Sequence, residues 1–260
     1  MARATWDPAQ YLRFAASRAR PFFDLLAPVE AETPRHVVDA GCGPGNLTVT
    51  LADRWPTATV LGFDSSPEMV ARAAEHTGPR VRFTVDDATT WQPETRVDVL
   101  VSNALLHWIP DHDRLAVRWL SYLAPGGWLA FQVPGNFTSP SHQAIGEVLE
   151  RPRWRAALPE GVAGRAGSFD PAHYLGVLAD AGAVVDAWET TYLHVLDGPA
   201  PVLEWIKGTA LRPVLDALDT AGRRDEFLAE LNERLVACYP PGPHGTVFPF
   251  RRVFVVARAA

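Results

Sequence analysis

The chain holds only two cysteines in 260 residues, Cys42 and Cys238, far apart and without a CxxC pair. That excludes a disulfide-stapled scaffold and predicts reduced thiols and a cytoplasmic home. Cys42 lies in a glycine-rich turn and reads as a small packing residue, since no thiol-activating neighbour is visible. No run of 18 apolar residues exists, so no membrane span is expected. The opening Met1-Ala2-Arg3-Ala4-Thr5-Trp6-Asp7 lacks an apolar core, so no secretory leader is expected. Basic blocks are missing too, and the formal net charge is −6. A nucleic-acid surface needs clustered Lys and Arg, so no nucleic-acid partner is expected. A small anionic substrate held by a few local arginines stays open. No metal is expected, and no pattern encodes an oligomeric state; a monomer is compatible with the sequence.

What is present is a chain long enough to bury roughly three quarters of its unfolded surface. Its 47% apolar content suits a globular core. Residues 36–133 alternate strand and helix patterns, with strands expected at 36–40, 58–63, 80–85, 97–102 and 127–133. Helices are expected at 46–54, 67–77 and 113–123; Ser66-Pro67-Glu68 is a helix start, and Pro125-Gly126-Gly127 is a stop. The alternation predicts an α/β fold with a mainly parallel sheet and helices on both faces.

The chemistry-bearing stretch is Val37-Val38-Asp39-Ala40-Gly41-Cys42-Gly43-Pro44-Gly45-Asn46. It reads as a strand, a tight turn and a helix carrying Leu47, Leu51 and Trp55 on one face. Glycine lacks a Cβ, so the backbone can lie against a bound molecule at the carboxyl end of the strand. A dinucleotide loop of the form G-x-G-x-x-G would need its third glycine where Asn46 stands; Gly45 falls one residue early. A second strand ends in Asp64, an acid able to accept hydrogen bonds from both hydroxyls of a ribose. A third ends in Asp86-Asp87-Ala88, where a carboxylate can meet an adenine amino group.

Flanking segments are less regular. Asp7-Pro8 opens a helix with Tyr11, Phe14, Arg18 and Arg20, continued by Phe22, Leu25 and Leu26. Preceding the first core strand, it can lie over the cleft with Tyr11 and Arg18 toward a ligand; Arg18 and Arg20 also read as a solvated face. Ser139-Pro140 starts another helix, residues 151–168 read as a loop or lid, and Asp170-Pro171 opens a helix stopped by Gly182. Residues 184–195 alternate as a long strand, and the last strand is expected at 252–257. The intervening stretch of about 55 residues carries helical patterns and reads as an inserted cap. We expect one domain, 1–260, with the N-terminal helix 7–28 and inserts at about 137–170 and 197–247 capping the site.

Asp39-x-Gly41-Cys42-Gly43-Pro44-Gly45, with an acid after strand two and Asp87-Ala88 after strand three, resembles the class I S-adenosylmethionine-dependent methyltransferases. The resemblance implies a Rossmann-like, seven-stranded sheet and S-adenosylmethionine as cofactor. It implies that Asp39, Gly41 and Gly43 line the methionine moiety, Asp64 with Ser65 takes the ribose, and Asp87 with Ala88 takes the adenine. The fourth strand end would face the transferring methyl, which makes Asn103 and Trp108 site candidates. His107 reads either as a general base or as a hydrogen-bonded histidine at a strand–helix junction.

A narrower resemblance spans nearly the whole chain. Trp6-Asp7-Pro8 to Arg20-Pro21, Asn103 to His112, Thr190 to His194 and Phe248-Pro249-Phe250-Arg251-Arg252-Val253-Phe254 are similar to the trans-aconitate 2-methyltransferases. This implies methyl transfer to a carboxylate of trans-aconitate, giving the monomethyl ester and S-adenosylhomocysteine. A carboxylate with a pKa near 4 is already a nucleophile at pH 7, so no residue needs to act as general base. Positioning about 3–3.5 Å from the methyl would carry the reaction, in a dry pocket. A tricarboxylate needs Arg; the candidates are Arg252 first, then Arg18, Arg20, Arg251 and Arg212, with Tyr192 and His194 sharing one strand face. Tyr192 reads equally as core packing. The alternatives are a methyltransferase for another carboxylic acid or for a phenolic or neutral acceptor, a nucleotide-dependent dehydrogenase, and a non-catalytic cofactor-binding module.

Overall fold

The computed structural model describes residues 15–159, 167–208, 211–220 and 222–260. Seven strands form one sheet in the order β3-β2-β1-β4-β5-β7-β6. They are β1 His36–Ala40, β2 Thr59–Asp64, β3 Val81–Val85, β4 Val97–Asn103, β5 Leu123–Pro134, β6 Val184–Leu196 and β7 Thr246–Arg258. β3 to β5 run parallel through β2, β1 and β4, and β7 pairs antiparallel with β5. Between them come α1 Ala15–Leu26, α2 Thr48–Arg54, α3 Pro67–Ala73, α4 His112–Leu120, α5 Pro140–Leu149, α6 Pro152–Arg155, α7 Pro171–Asp180, α8 Pro201–Lys207, α9 Arg212–Thr220 and α10 Arg224–Cys238.

The local chemistry explains these bounds. The Ser66 side chain accepts from Met69 N at 3.3 Å and caps α3, with Pro67 at its first position. Leu51 and Trp55 are buried, as the i, i+4 spacing of α2 requires. Several boundaries differ from the sequence expectation. α4 stops at Leu120, not near residue 123, because Ser121 and Tyr122 tighten onto Arg118 O and Trp119 O. Leu123 then opens β5 opposite Val97, and the register shifts between Val97 and Val99 while Gly126 takes φ +72°. Pro125-Gly126-Gly127 therefore serves as a strand irregularity rather than a helix stop. β7 starts at Thr246 rather than 252, since Thr246, Phe248 and Phe250 alternate inward with period two.

The chain divides into two compact units. One comprises 19–135, 166–190 and 252–260. Its core packs Val38, Phe63, Trp91, Leu100, Trp119 and Phe131 with Tyr174 and Val255. The other comprises 1–18, 136–165 and 191–251, with its own core around Trp154, Trp205, Phe227, Leu231 and Phe248. In that unit the buried Glu230 carboxylate accepts from Trp154 Nε1 at 2.9 Å and pairs with Arg151 and Arg153, tying α6 to α10. Among the described residues no helix is long and apolar enough to cross a membrane.

Candidate active site

The glycine turn after β1 is pinned to its neighbour: Gly41 N and Cys42 N both donate to Phe63 O, at 2.8 and 3.0 Å. Gly41, Gly43 and Gly45 all have positive φ, of +75°, +55° and +78°, but they serve different ends. A Cβ on Gly41 would lie 2.9 Å from Leu105 Cβ, and one on Gly45 would lie 2.8 Å from the Phe83 ring and 2.9 Å from Ala73 Cβ. These two glycines let the turn pack on protein. Gly43 is the one that faces space, since a Cβ there meets no described atom within 4 Å. Bare backbone beside an open volume is what a bound amino acid moiety needs.

Asp64 at the end of β2 accepts from Gly43 N at 3.0 Å through Oδ2 and from Ser66 N at 2.9 Å through Oδ1. A carboxylate has about four lone-pair sites, so capacity remains for a diol. Ser65, beside it, is exposed. The third strand end is tied in through Asp86 N, which donates to Asp64 O at 3.1 Å. Asp87 Oδ1 accepts from Thr89 N and Oγ1 at 2.8 and 2.7 Å, and these bonds hold its carboxyl below the usual range. Ala88 is buried in this turn.

Asp39 is buried at the floor of the turn and accepts from Thr48 Oγ1 at 2.6 Å. Burial pushes its pKa up to about 6; the Thr48 bond opposes this and the Asp64 charge adds to it. In the free protein the raised value favours the protonated carboxyl, so this contribution to stability is present at low pH and lost as pH rises through about 6. A cationic ligand beside Asp39 reverses the preference and expels the proton. The sequence reading of Asp39 as a cofactor-lining residue thus predicts that S-adenosylmethionine affinity strengthens with pH, by up to about tenfold per unit, and levels off above pH 6. Calorimetry in buffers of different ionisation enthalpy should show proton release at about pH 5.5, little at about pH 7.5, and none with Asp39→Asn.

Across the sheet, Asn103, Gln132 and Arg252 form a row. Asn103 is the register partner of Gln132, and Arg252 lies two residues from Gln132's partner Phe254, so all three share a face. Arg252 Nη1 donates to Gln132 Oε1 at 3.1 Å, and Gln132 Nε2 donates to Asn103 Oδ1. Arg252 and Gln132 are buried and Asn103 half-buried. His107 is also buried, on the short 3-10 turn Leu106–Trp108; burial, then Arg252 and His112, push its pKa down to about 3. Trp108 beside it is exposed, with ring centroids 4.7 Å apart. The turn is held from a second side: Gly167 N donates to His107 O at 3.1 Å. His112 Nδ1 donates to Ile109 O at 3.0 Å, so its Nε2 accepts from the Tyr174 hydroxyl at 2.7 Å, and that hydroxyl accepts from Phe169 N at 3.2 Å.

Other expected site residues fall elsewhere. Tyr11 and the side chain of Arg18 lie outside the described residues. Tyr192 belongs to the other unit, where it is buried and stacks with His194 at 6.3 Å, which in turn stacks on Trp205 at 4.4 Å. Two polar residues went unread in the sequence, Thr48 and Gln132. The signal for Gln132 was there: one amide inside the apolar run Leu129-Ala130-Phe131-Gln132-Val133, which must find partners if buried. Among the described residues no acidic, His or Cys group is arranged to hold a metal.

Residues 11–186 match a family model described as a methyltransferase domain. The trans-aconitate 2-methyltransferase of Streptomyces coelicolor is 52% identical over 98% of this chain and 86% of its own. That of Rhodococcus jostii is 54% identical over 97% of this chain and 99% of its own. The chain belongs to the trans-aconitate 2-methyltransferase family. Its fold is also that of a Haemonchus contortus phosphoethanolamine N-methyltransferase solved with S-adenosylhomocysteine, at TM-score 0.55, 16% identity, and coverage of 94% of this chain and 53% of that one. For this family the strand-end groups fit the cofactor: an open glycine backbone, an acid with spare acceptors, and a turn closed by Asp87.

Proposed function

We propose that the chain transfers the methyl group of S-adenosylmethionine to a carboxylate of trans-aconitate, releasing the monomethyl ester and S-adenosylhomocysteine. The observation that carries this reading is the buried Arg252 guanidinium beside Asn103 and Gln132, in a member of this family. When bound, the cofactor supplies an electrophilic methyl on a sulfonium. Gly43 and Asp39 would hold its methionine end with Gly41 shaping the turn, Asp64 and Ser65 its ribose, and Asp87 with Ala88 its adenine. Asn103 closes the site on the side of the fourth strand.

Arg252 grips the acceptor through carboxylate-matched N–H pairs, with Trp108 as a further acceptor contact. No general base takes part. A carboxylate is ionised at pH 7, and a histidine with its pKa pushed to about 3 cannot keep a proton there. A site closed to water would favour the reaction. Because attack joins an anion to a cation, water in the site would stabilise the ground state more than the transition state. A small tricarboxylate is the partner, with no role for nucleic acid, and the two free cysteines accord with a reducing cytoplasm.

The reading is tested with methyl-labelled cofactor and a panel of di- and tricarboxylic acids, phenols and amines. Base-labile ester should appear with trans-aconitate and fall off for acids with fewer carboxylates. Label confined to phenols or amines would overturn it.

A further inference from the structure

We propose that Gln132 is a positioning residue that selects for anionic acceptors, by fixing the polarity of Asn103 while leaving the Arg252 charge intact. The inference rests on the carboxylate-acceptor reading above and deepens it. A guanidinium has only donors, so Gln132 must meet Arg252 with its oxygen, as it does at 3.1 Å. Its amide nitrogen is thereby committed to the other side. There it donates to Asn103, which must answer with Oδ1. Arg252 thus dictates the orientation of Asn103 through one intervening amide. The outcome is that the Asn103 Nδ2–H donors, not its carbonyl, are left for a ligand at the strand end.

The choice of amide over acid matters as much as its shape. A glutamate at 132 would be nearly isosteric, yet it would do two opposite things. It would neutralise the Arg252 guanidinium with a buried charge-assisted bond. It would also accept from Asn103, turning that amide over to offer its oxygen. Both changes convert an anion-attracting row into an anion-repelling one. Glutamine satisfies the geometry and carries no charge. The sheet registers place the three residues on adjacent strands β4, β5 and β7, so the row is as rigid as the sheet.

The test compares Gln132→Glu with Gln132→Met in the full chain. Initial rates give KM and kcat for trans-aconitate, and calorimetry gives the affinity for S-adenosylhomocysteine. Gln132→Glu is expected to raise KM by about 30- to 100-fold, with kcat reduced less than about fivefold and cofactor affinity within about twofold. Gln132→Met, which withdraws both amide contacts without adding charge, is expected to raise KM by about tenfold. A purely structural role predicts the reverse order, because Glu is the closer isostere; Met as damaging as Glu, or Glu with wild-type KM, would overturn the inference. Should Gln132→Glu not fold, Gln132→Met decides alone: a raised KM with intact cofactor affinity supports it, and an unchanged KM overturns it. A wild-type protein that binds cofactor and esterifies no carboxylate overturns both readings, and is told apart because the wild type itself fails.

Discussion

Arg252→Ala is expected to lower kcat/KM for trans-aconitate by about 10²–10³-fold, while the affinity for S-adenosylmethionine changes by less than about threefold. The size follows from where the side chain sits. Arg252 is 8% exposed, in the row with Gln132 and Asn103. A carboxylate that meets it there has left water, and a charge-assisted pair in such a place is worth more than the same pair on the surface. The alanine variant loses that pair and also leaves Gln132 Oε1 without its donor, which costs roughly 1–3 kcal/mol of stability. Thermal unfolding separates the two effects, because the activity loss should exceed what unfolding explains at the assay temperature. Arg252→Lys is expected to recover little. An ammonium lacks the planar fork that donates to Gln132 with one nitrogen and to a substrate with the others. Wild-type kcat/KM in Arg252→Ala would remove the anchor from the proposed site.

How legible was this site in the sequence? The parts carried by backbone were readable. Asp39, the glycines, Asp64 and Asp87 stand at strand ends whose strands announce themselves by apolar runs, and the off-register Gly45 has a visible reason. Its Cβ would collide with Phe83 on β3 and Ala73 on α3, so it is a packing glycine within the turn. What stayed hidden were contacts between strands distant in sequence. Gln132 and Arg252 are 120 residues apart, and only the antiparallel β5–β7 register brings them onto one face. The same holds for the reach of β7: period-two burial at Thr246, Phe248 and Phe250 outweighs Pro249, which sits exposed on the outward-facing phase. The helix end at Leu120 was misread because Leu123 continues the i, i+4 apolar spacing of α4, yet packs as the first residue of β5. Periodicity alone does not distinguish those two uses of one leucine. His107 shows a different limit. Its type suggested a base, but its burial and its cationic neighbour decide its protonation, and neither is a property of the residue alone.

Asp64→Asn is expected to weaken S-adenosylmethionine binding by about 10²-fold, and to do so at least as severely as Asp64→Ala. That order is unusual for an amide replacing an acid of the same shape, and it follows from the hydrogen bonds. Both Asp64 oxygens already accept from backbone, Oδ2 from Gly43 N at 3.0 Å and Oδ1 from Ser66 N at 2.9 Å. Asparagine has one carbonyl oxygen, so its amide nitrogen must confront one of those two N–H groups. If it faces Gly43, the open glycine of the cofactor loop is pushed off Asp64; if it faces Ser66, the cap of α3 is disturbed. Either way the donor pair of a ribose diol meets one acceptor where it needs two. Alanine removes the acceptors but adds no repulsion, and water can reach the half-buried position to take their place. The acceptor side of the site should be spared, so KM for trans-aconitate at saturating cofactor should stay within about threefold of wild type in both variants. Calorimetry with S-adenosylhomocysteine measures the loss. An asparagine variant that binds within about threefold of wild type would show that Asp64 holds neither the turn nor the ribose through its charge and paired oxygens.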